Sequence, residues 1–225
     1  MKRIVLLGMI TMYLVRHGQT EENLQRIFQG HLPGVLTEEG RKQAVDLGPQ
    51  LDSLSLDAVV SSDLQRVVDT VCLAFGKHGN LGNYGDPGNY VNHGAHGAHG
   101  SHGNPSGVSV LLHQGRDIPW ERTQLLREID WGSWTGLKIA SVDTTVIPAD
   151  AESKEMLYER AGRFVAYLKQ HYADKSVLVV AHGLVNRSIQ AQIEGVDVDH
   201  LYDIPHMKNA EVRKFVLLCF YAGYV

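Results

Sequence analysis

The stretch "TMYLVRHGQTEEN", residues 11–23, decides how the rest of the chain is read. Its apolar run, Tyr13–Leu14–Val15, ends abruptly in Arg16–His17–Gly18, and a polar stretch then closes on Asn23. A second stretch, "SVLVVAHG" at 176–183, ends the same way, in His182–Gly183. Short apolar runs rich in β-branched residues and bounded by turn residues read as buried strands. Each strand delivers a histidine to its carboxyl end, and the glycine after it lets the backbone turn or approach closely. In open α/β sheets that edge is where ligands bind.

Working outward, Thr37 caps an expected helix with Glu38 and Glu39 at its positive end and Ala44, Leu47 and Leu51 at helical spacing. "DAVVS", Asp57–Ser61, reads as another buried strand. Ser62 or Asp63 then opens a helix whose apolar face is Leu64, Val67, Val68, Val71, Cys72 and Phe75. Val108–Leu112 reads either as a strand or as the end of the preceding segment. Further helices are expected over about 153–172, with Ser153 as cap, and over Leu184–Glu194, and a last strand over 213–221. Alternating strands and helices predict one α/β domain over 1–225, a largely parallel sheet with helices on both faces. The first strand is expected to begin near Thr11, with residues 1–10 as an extension. Residues 76–107 break the composition: dense in Gly, Asn and His, they lack the apolar surface to offset ordering entropy and read as a flexible insertion.

A formal net charge of −4 on 225 residues gives no strong positive field, so no nucleic-acid partner is expected. The opening MKRIVLLGMITMYLV resembles a secretion signal but runs into Arg16–His17 without a small-residue cleavage site, and it is too short to span a membrane. The two cysteines, Cys72 and Cys219, sit in apolar patterns and read as core residues, which fits a reducing cytoplasm.

Four features converge on one chemistry. His17 and His182 stand at strand ends, Arg66 falls on the first turn of its helix, and Glu128 lies in "LLREIDWGSWTG" beside turn-forming glycines. A neutral imidazole is a competent nucleophile, and a covalent intermediate divides one hard step into two. A dianionic phosphoryl group needs cations and N–H donors aimed at its oxygens. Arg16 and Arg66 supply forked donors, Asn23 a neutral one, and His182 a further phosphoryl contact beside Gly183. Glu128 can protonate a leaving oxygen and then activate water. Cations and donors already surround the anion, so no metal or cofactor is required. Any one of these residues alone reads as structural; the combination carries the inference.

These same residues bear a family resemblance. RHGQTEEN resembles the RHGxTxxN signature of the histidine phosphatase superfamily, the phosphoglycerate mutase-like proteins. "QGHLPGVLTEEGRKQA", "SSDLQRVVDT", "LREIDWGSWTG" and "VLVVAHGLVNR" resemble its further motifs, in order, over most of the chain. The resemblance implies a three-layer α/β/α fold with a mostly parallel central sheet. It implies His17 as the phosphorylated nucleophile, Glu128 as proton donor, and Arg16, Asn23, Arg66 and His182 as the phosphate pocket. The departures are Val35–Leu36 for a proline before LT, Thr135 for a glutamate, Val67 for an alanine and Ala151 for a glycine. They touch substrate-facing loops and remove no catalytic group.

Within such a pocket, hydrolysis and phosphoglycerate mutation are alternatives. REIDWGSWTG resembles the phosphatase-type motif, only about 16 positions separate Gly136 from Glu152, and little chain follows the last strand. These favour a metal-independent phosphatase acting on a small phosphorylated metabolite, with the mutase as the alternative. A reading of another class takes the chain as a metal-binding protein through His93, His96, His99 and His102. Trp120, Trp131 and Trp134 are candidates for substrate stacking, and His31 for the pocket border. A homodimer is left open, and the substrate's identity lies in the loops that depart most from the family.

Overall fold

The computed structural model describes residues 2–76 and 108–224. Six strands form one sheet: β1 (Lys2–Arg16), β2 (Ala58–Ser62), β3 (Val108–His113), β4 (Arg116–Thr123), β5 (Ser176–Ala181) and β6 (Val212–Tyr224), in the order β3-β4-β2-β5-β1-β6. The three inner pairings, β4–β2, β2–β5 and β5–β1, are parallel; the two outer ones, β3–β4 and β1–β6, are antiparallel. Among the described residues five α-helices accompany them: α1 (Glu21–Leu24), α2 (Glu38–Asp52), α3 (Gln65–Phe75), α4 (Lys154–His171) and α5 (Gly183–Glu194).

The period-two alternation of the central strands divides the helices between two faces. Val177 and Val179 of β5, with Met12 and Leu14 of β1, pack against Leu157, Phe164 and Leu168 of α4 and Val185 and Ile189 of α5. Leu178 and Val180, with Val15 and Val59, pack against Leu47 and Leu51 of α2 and Val67, Val71 and Phe75 of α3. The expected three-layer architecture with a mostly parallel sheet is thus the one found. Among the described residues no helix is long and apolar enough to cross a membrane.

Two expectations are corrected, and one strand is added. The first strand begins at Lys2, not near Thr11. Thr11 is where parallel pairing with β5 starts (Thr11↔Ser176); before it, β1 pairs with β6 alone, from Lys2↔Tyr224 to Ile10↔Leu217. The helix expected to open at Ser62 or Asp63 starts at Gln65, behind an N-cap Leu64 that makes no side-chain cap. Ser62 serves instead as a local acceptor for the Leu64 N–H, at 3.3 Å. Strand β4 had no counterpart in the sequence reading, because only Ile118 and Trp120 of "RDIPWERT" are buried and Pro119 speaks against a strand. Pro119 pairs with Val110 of β3, one position before the β2 ladder begins at Trp120, and so the inner ladder needs nothing from its missing N–H. The insertion expected at 76–107 lies outside the described residues from residue 77 onward, and the four-histidine repeat lies outside with it.

Two glycines place the first strand's end against α2. A Cβ on Gly18 would lie 2.4 Å from the Gly40 carbonyl oxygen, and one on Gly40 would lie 1.9 Å from that of Gln19. The start of α2, capped by Thr37 through the Gly40 N–H at 2.9 Å, is therefore locked to the loop that follows His17. Gly40→Ala should cost at least about 2 kcal/mol of unfolding free energy, because the Gln19 atoms the new Cβ would strike are all backbone. Urea unfolding checks this, and a change within about 0.5 kcal/mol would contradict so close an approach.

Candidate active site

His17 leaves β1 with its backbone N–H on the Ala181 carbonyl at 3.0 Å and its own carbonyl accepting from Asn209 Nδ2 at 2.9 Å. The imidazole is 2% exposed. Its Nδ1 lies 2.7 Å from the Gly18 carbonyl, which can only accept, so Nδ1 carries the proton and the lone pair of the neutral ring is on Nε2. Burial first, then the guanidinium groups of Arg66 and Arg16, push the His17 imidazole well below the ordinary histidine value. The result is a neutral imidazole of fixed orientation.

His182, the N-cap of α5, sits edge-on to His17 with ring centroids 5.2 Å apart. Its Nδ1 accepts from Arg66 Nε at 3.1 Å, which leaves the ring proton on Nε2, 2.9 Å from Ser62 Oγ. Burial, Arg66 and His17 hold it too well below the usual value. Both nitrogens are engaged, so the further phosphoryl contact expected of His182 would require an exchange of partners.

Arg66, on the first turn of α3, is fully buried. Its other bonds run to the carbonyls of Leu32 (from Nη1) and Gly30 (from Nη2, 3.0 Å), so among the described residues its hydrogen-bond partners are all neutral. Burial lowers its pKa to about 10, with Glu128 and Glu22 opposing from a distance. A buried cation without a directly bonded carboxylate is costly to fold, and a bound anion would offset that cost. Arg16 repeats the pattern: its Nη1 donates to the Met207 carbonyl (2.9 Å) and contacts His206 Nε2 (2.7 Å), while its Nε is buried with no partner. Burial lowers the Arg16 pKa, against the opposing effect of Glu128.

Glu128 is held at the amino end of α5. Its Oε1 accepts from the backbone N–H groups of Ile129 (3.1 Å), Leu184 and Val185 (3.2 Å each), and its Oε2 shares the Leu184 donor. Gly183 is where these groups meet: a Cβ there would lie 2.9 Å from His206 Cε1, 3.5 Å from Glu128 Oε2 and 3.6 Å from Arg16 Nε. His31 braces the same loop, its Nε2 3.0 Å from the Glu128 carbonyl oxygen.

The structure therefore gathers Arg16, His17, Arg66, Glu128, His182 and Gly183 at the carboxyl ends of β1, β2 and β5. It does not aim Asn23 at them. The Asn23 side chain closes a capping box with Thr20 and donates to Gln29 Oε1 at 3.4 Å. The tryptophans pack protein rather than solvent: Trp120 Nε1 donates to Ser61 Oγ at 2.8 Å, and Trp131 and Trp134 flank Phe28 with centroids at 4.7 and 5.1 Å. A separate cleft of about 710 Å³, lined by His31, Arg122, Arg127, Asp130, Glu152 and Arg160 among others, lies behind the Glu128 loop. Two of its arginines are committed, Arg127 to Asp63 and Arg160 to Glu152.

Several supporting residues escaped the sequence reading. Thr70 accepts from the Gly18 N–H at 3.1 Å and donates to the Arg66 carbonyl, tying the loop that follows His17 to α3. Ser62 Oγ accepts the Nε2–H that Arg66 imposes on His182, and Asn209 holds the His17 carbonyl. Thr70 and Ser62 lie inside a quoted motif, where their position beside Arg66 was the available signal. Asn209 and His206 had none.

The chain resembles known proteins over most of its length. The chain is 24% identical over 205 residues to the adenosylcobalamin/alpha-ribazole phosphatase of Escherichia coli, covering 85% of this chain and 82% of that one. It is 26% identical over 209 residues to a 2,3-bisphosphoglycerate-dependent phosphoglycerate mutase of Streptococcus pneumoniae, covering 87% and 89%. Other curated relatives match at 42% and 44% identity, but over only 31% and 29% of their own lengths. Among solved structures, Bacillus stearothermophilus YhfR superposes with a TM-score of 0.68 at 25% identity, over 91% of this chain and 90% of that one. Residues 12–84 and 109–218 match the histidine phosphatase superfamily (branch 1), and the chain belongs to that family.

Proposed function

We propose that this chain is a metal-independent phosphomonoesterase that hydrolyses a small phosphorylated metabolite through a phosphohistidine on His17. The observation that carries the reading is the buried Arg66, bonded only to neutral partners, beside a neutral histidine whose lone pair is on Nε2. In the first step that lone pair attacks phosphorus, the bond from phosphorus to the leaving oxygen breaks, and the oxygen takes a proton from the Glu128 carboxyl. In the second, Glu128 removes a proton from water, the water oxygen attacks phosphorus, and the bond from nitrogen to phosphorus breaks to release inorganic phosphate. Arg16 and Arg66 hold the charge spread over the phosphoryl oxygens in both steps.

The mutase reading draws support from the Streptococcus relative. Against it stands the segment after Trp134, which folds back on the protein: Gly136 N–H bonds to the Phe28 carbonyl, Ile139 N–H to that of Arg26, and Glu152 N–H to that of Asp130. These contacts tie the segment to residues 26–28 and to Asp130, whereas a mutase needs a cover that keeps water out. The relatives named as phosphatases support hydrolysis. A panel of phosphorylated metabolites, assayed with and without chelator, should give chelator-insensitive phosphate release. Interconversion of 3- and 2-phosphoglycerate with a bisphosphoglycerate primer, faster than any phosphate release, would overturn the assignment.

A further inference from the structure

Arg16 has five N–H groups and no acceptor, so whatever lies within bonding distance of it must accept. Its Nη1 meets two acceptors, His206 Nε2 at 2.7 Å and the Met207 carbonyl at 2.9 Å. Both hydrogens of Nη1 are thereby used. The opposite edge of the guanidinium, Nε and Nη2, makes no hydrogen bond among the described residues, and its Nε is buried. That edge is the planar fork that receives two oxygens of one phosphoryl group.

The loop that carries His206 is itself clamped. Arg213 donates to the carbonyls of Pro205 (3.0 Å) and His206 (3.3 Å), and the Met207 side chain is buried. His206 also abuts Gly183, beside Glu128.

We propose that His206 is a positioning residue for Arg16. By accepting from Nη1, its Nε2 rotates the guanidinium so that the Nε–Nη2 fork faces the phosphoryl group bound at His17. The proposal rests on the reading of this pocket as a phosphoryl site. It requires the ring neutral at Nε2, and the groups around it favour that state: burial together with Arg16, Arg187 and Arg213 lowers the His206 pKa, against Glu128.

The test is inorganic phosphate binding by calorimetry, which needs no turnover. His206→Ala removes the acceptor and should weaken phosphate binding about tenfold. His206→Gln places an amide oxygen near the position of Nε2 and should restore binding to within about threefold of the unsubstituted protein. His206→Leu fills the space without an acceptor and should behave as alanine does, which keeps the comparison available if alanine unfolds the loop. Phosphate binding unchanged in the alanine or leucine variant, or equally weak in leucine and glutamine, would overturn the proposal. If the unsubstituted protein binds no phosphate, the phosphoryl-site reading fails before His206 is in question.

Discussion

Replacing His17 with alanine should lower turnover by at least about 10⁴-fold, because removing a covalent nucleophile removes the reaction path rather than one stabilising contact. The fold should survive, since the ring's one hydrogen bond, to Gly18, is local. A thermal midpoint close to that of the unsubstituted protein, together with lost turnover, is the expected pair of results. The pH dependence belongs to the same prediction. The neutral imidazole is the active form, and its folded pKa is held well below the usual histidine value by burial, Arg66 and Arg16. Activity should therefore persist as pH falls through about 6.5 and fail only at lower pH. Stability has the opposite vulnerability. The unfolded chain takes up protons on His17 and His182 below about pH 6.5 while the folded chain resists, so unfolding should become easier as pH drops from about 7 to 5. An acid limb of kcat/KM at or above about 6.5, with the substrate's own phosphate ionisation subtracted, would contradict the placement of His17.

Arg66→Lys should lower kcat/KM by about 10² to 10³, the usual consequence of removing one preorganised donor from developing charge. Lysine keeps the positive charge but loses the planar fork and the Nε–H that engages His182 Nδ1. The carbonyls of Gly30 and Leu32 would share a single ammonium. The second readout is the stabilisation conferred by phosphate. In the unsubstituted protein a bound phosphate would put a negative charge beside the Arg66 cation, so the thermal midpoint should rise with phosphate concentration. In Arg66→Lys the rise should shrink, and in Arg66→Met it should vanish. A methionine variant that phosphate still stabilises fully would show that the buried cation serves the fold instead of an anion.

Most of this site was legible in the sequence because strand ends can be recognised locally. YLVRHG and LVVAHG announce both the strand and the residue at its edge, and the parallel pairing of β1 with β5, Arg16↔Ala181 included, brings His17 and His182 together. Arg66 and Glu128 were readable as charges at turns. What stayed hidden depends on distance along the chain. Asn23 was expected to face a phosphate, but its side chain is within reach of Thr20 and Gln29 and is spent there. His206 and Asn209 sit about 190 residues from Arg16 and His17, in a loop without periodicity, and only the antiparallel pairing of β6 with β1 brings them near. The early start of β1 was hidden for the same reason: residues 2–10 are a strand because β6 returns beside them. Strand β4 was hidden because its partners on both sides supply the order that its own Asp, Pro and Glu do not.

The central claim is that the phosphoryl group passes through His17, and rapid quenching during turnover tests it most directly. The enzyme is mixed with a radiolabelled substrate drawn from those it hydrolyses, stopped in alkali within one turnover, digested and sequenced by mass spectrometry. The account predicts an alkali-stable, acid-labile phosphoryl group on the His17 peptide, absent from His17→Ala and released as inorganic phosphate when turnover continues. Steady hydrolysis with no label, or a label on any residue other than His17, would contradict it.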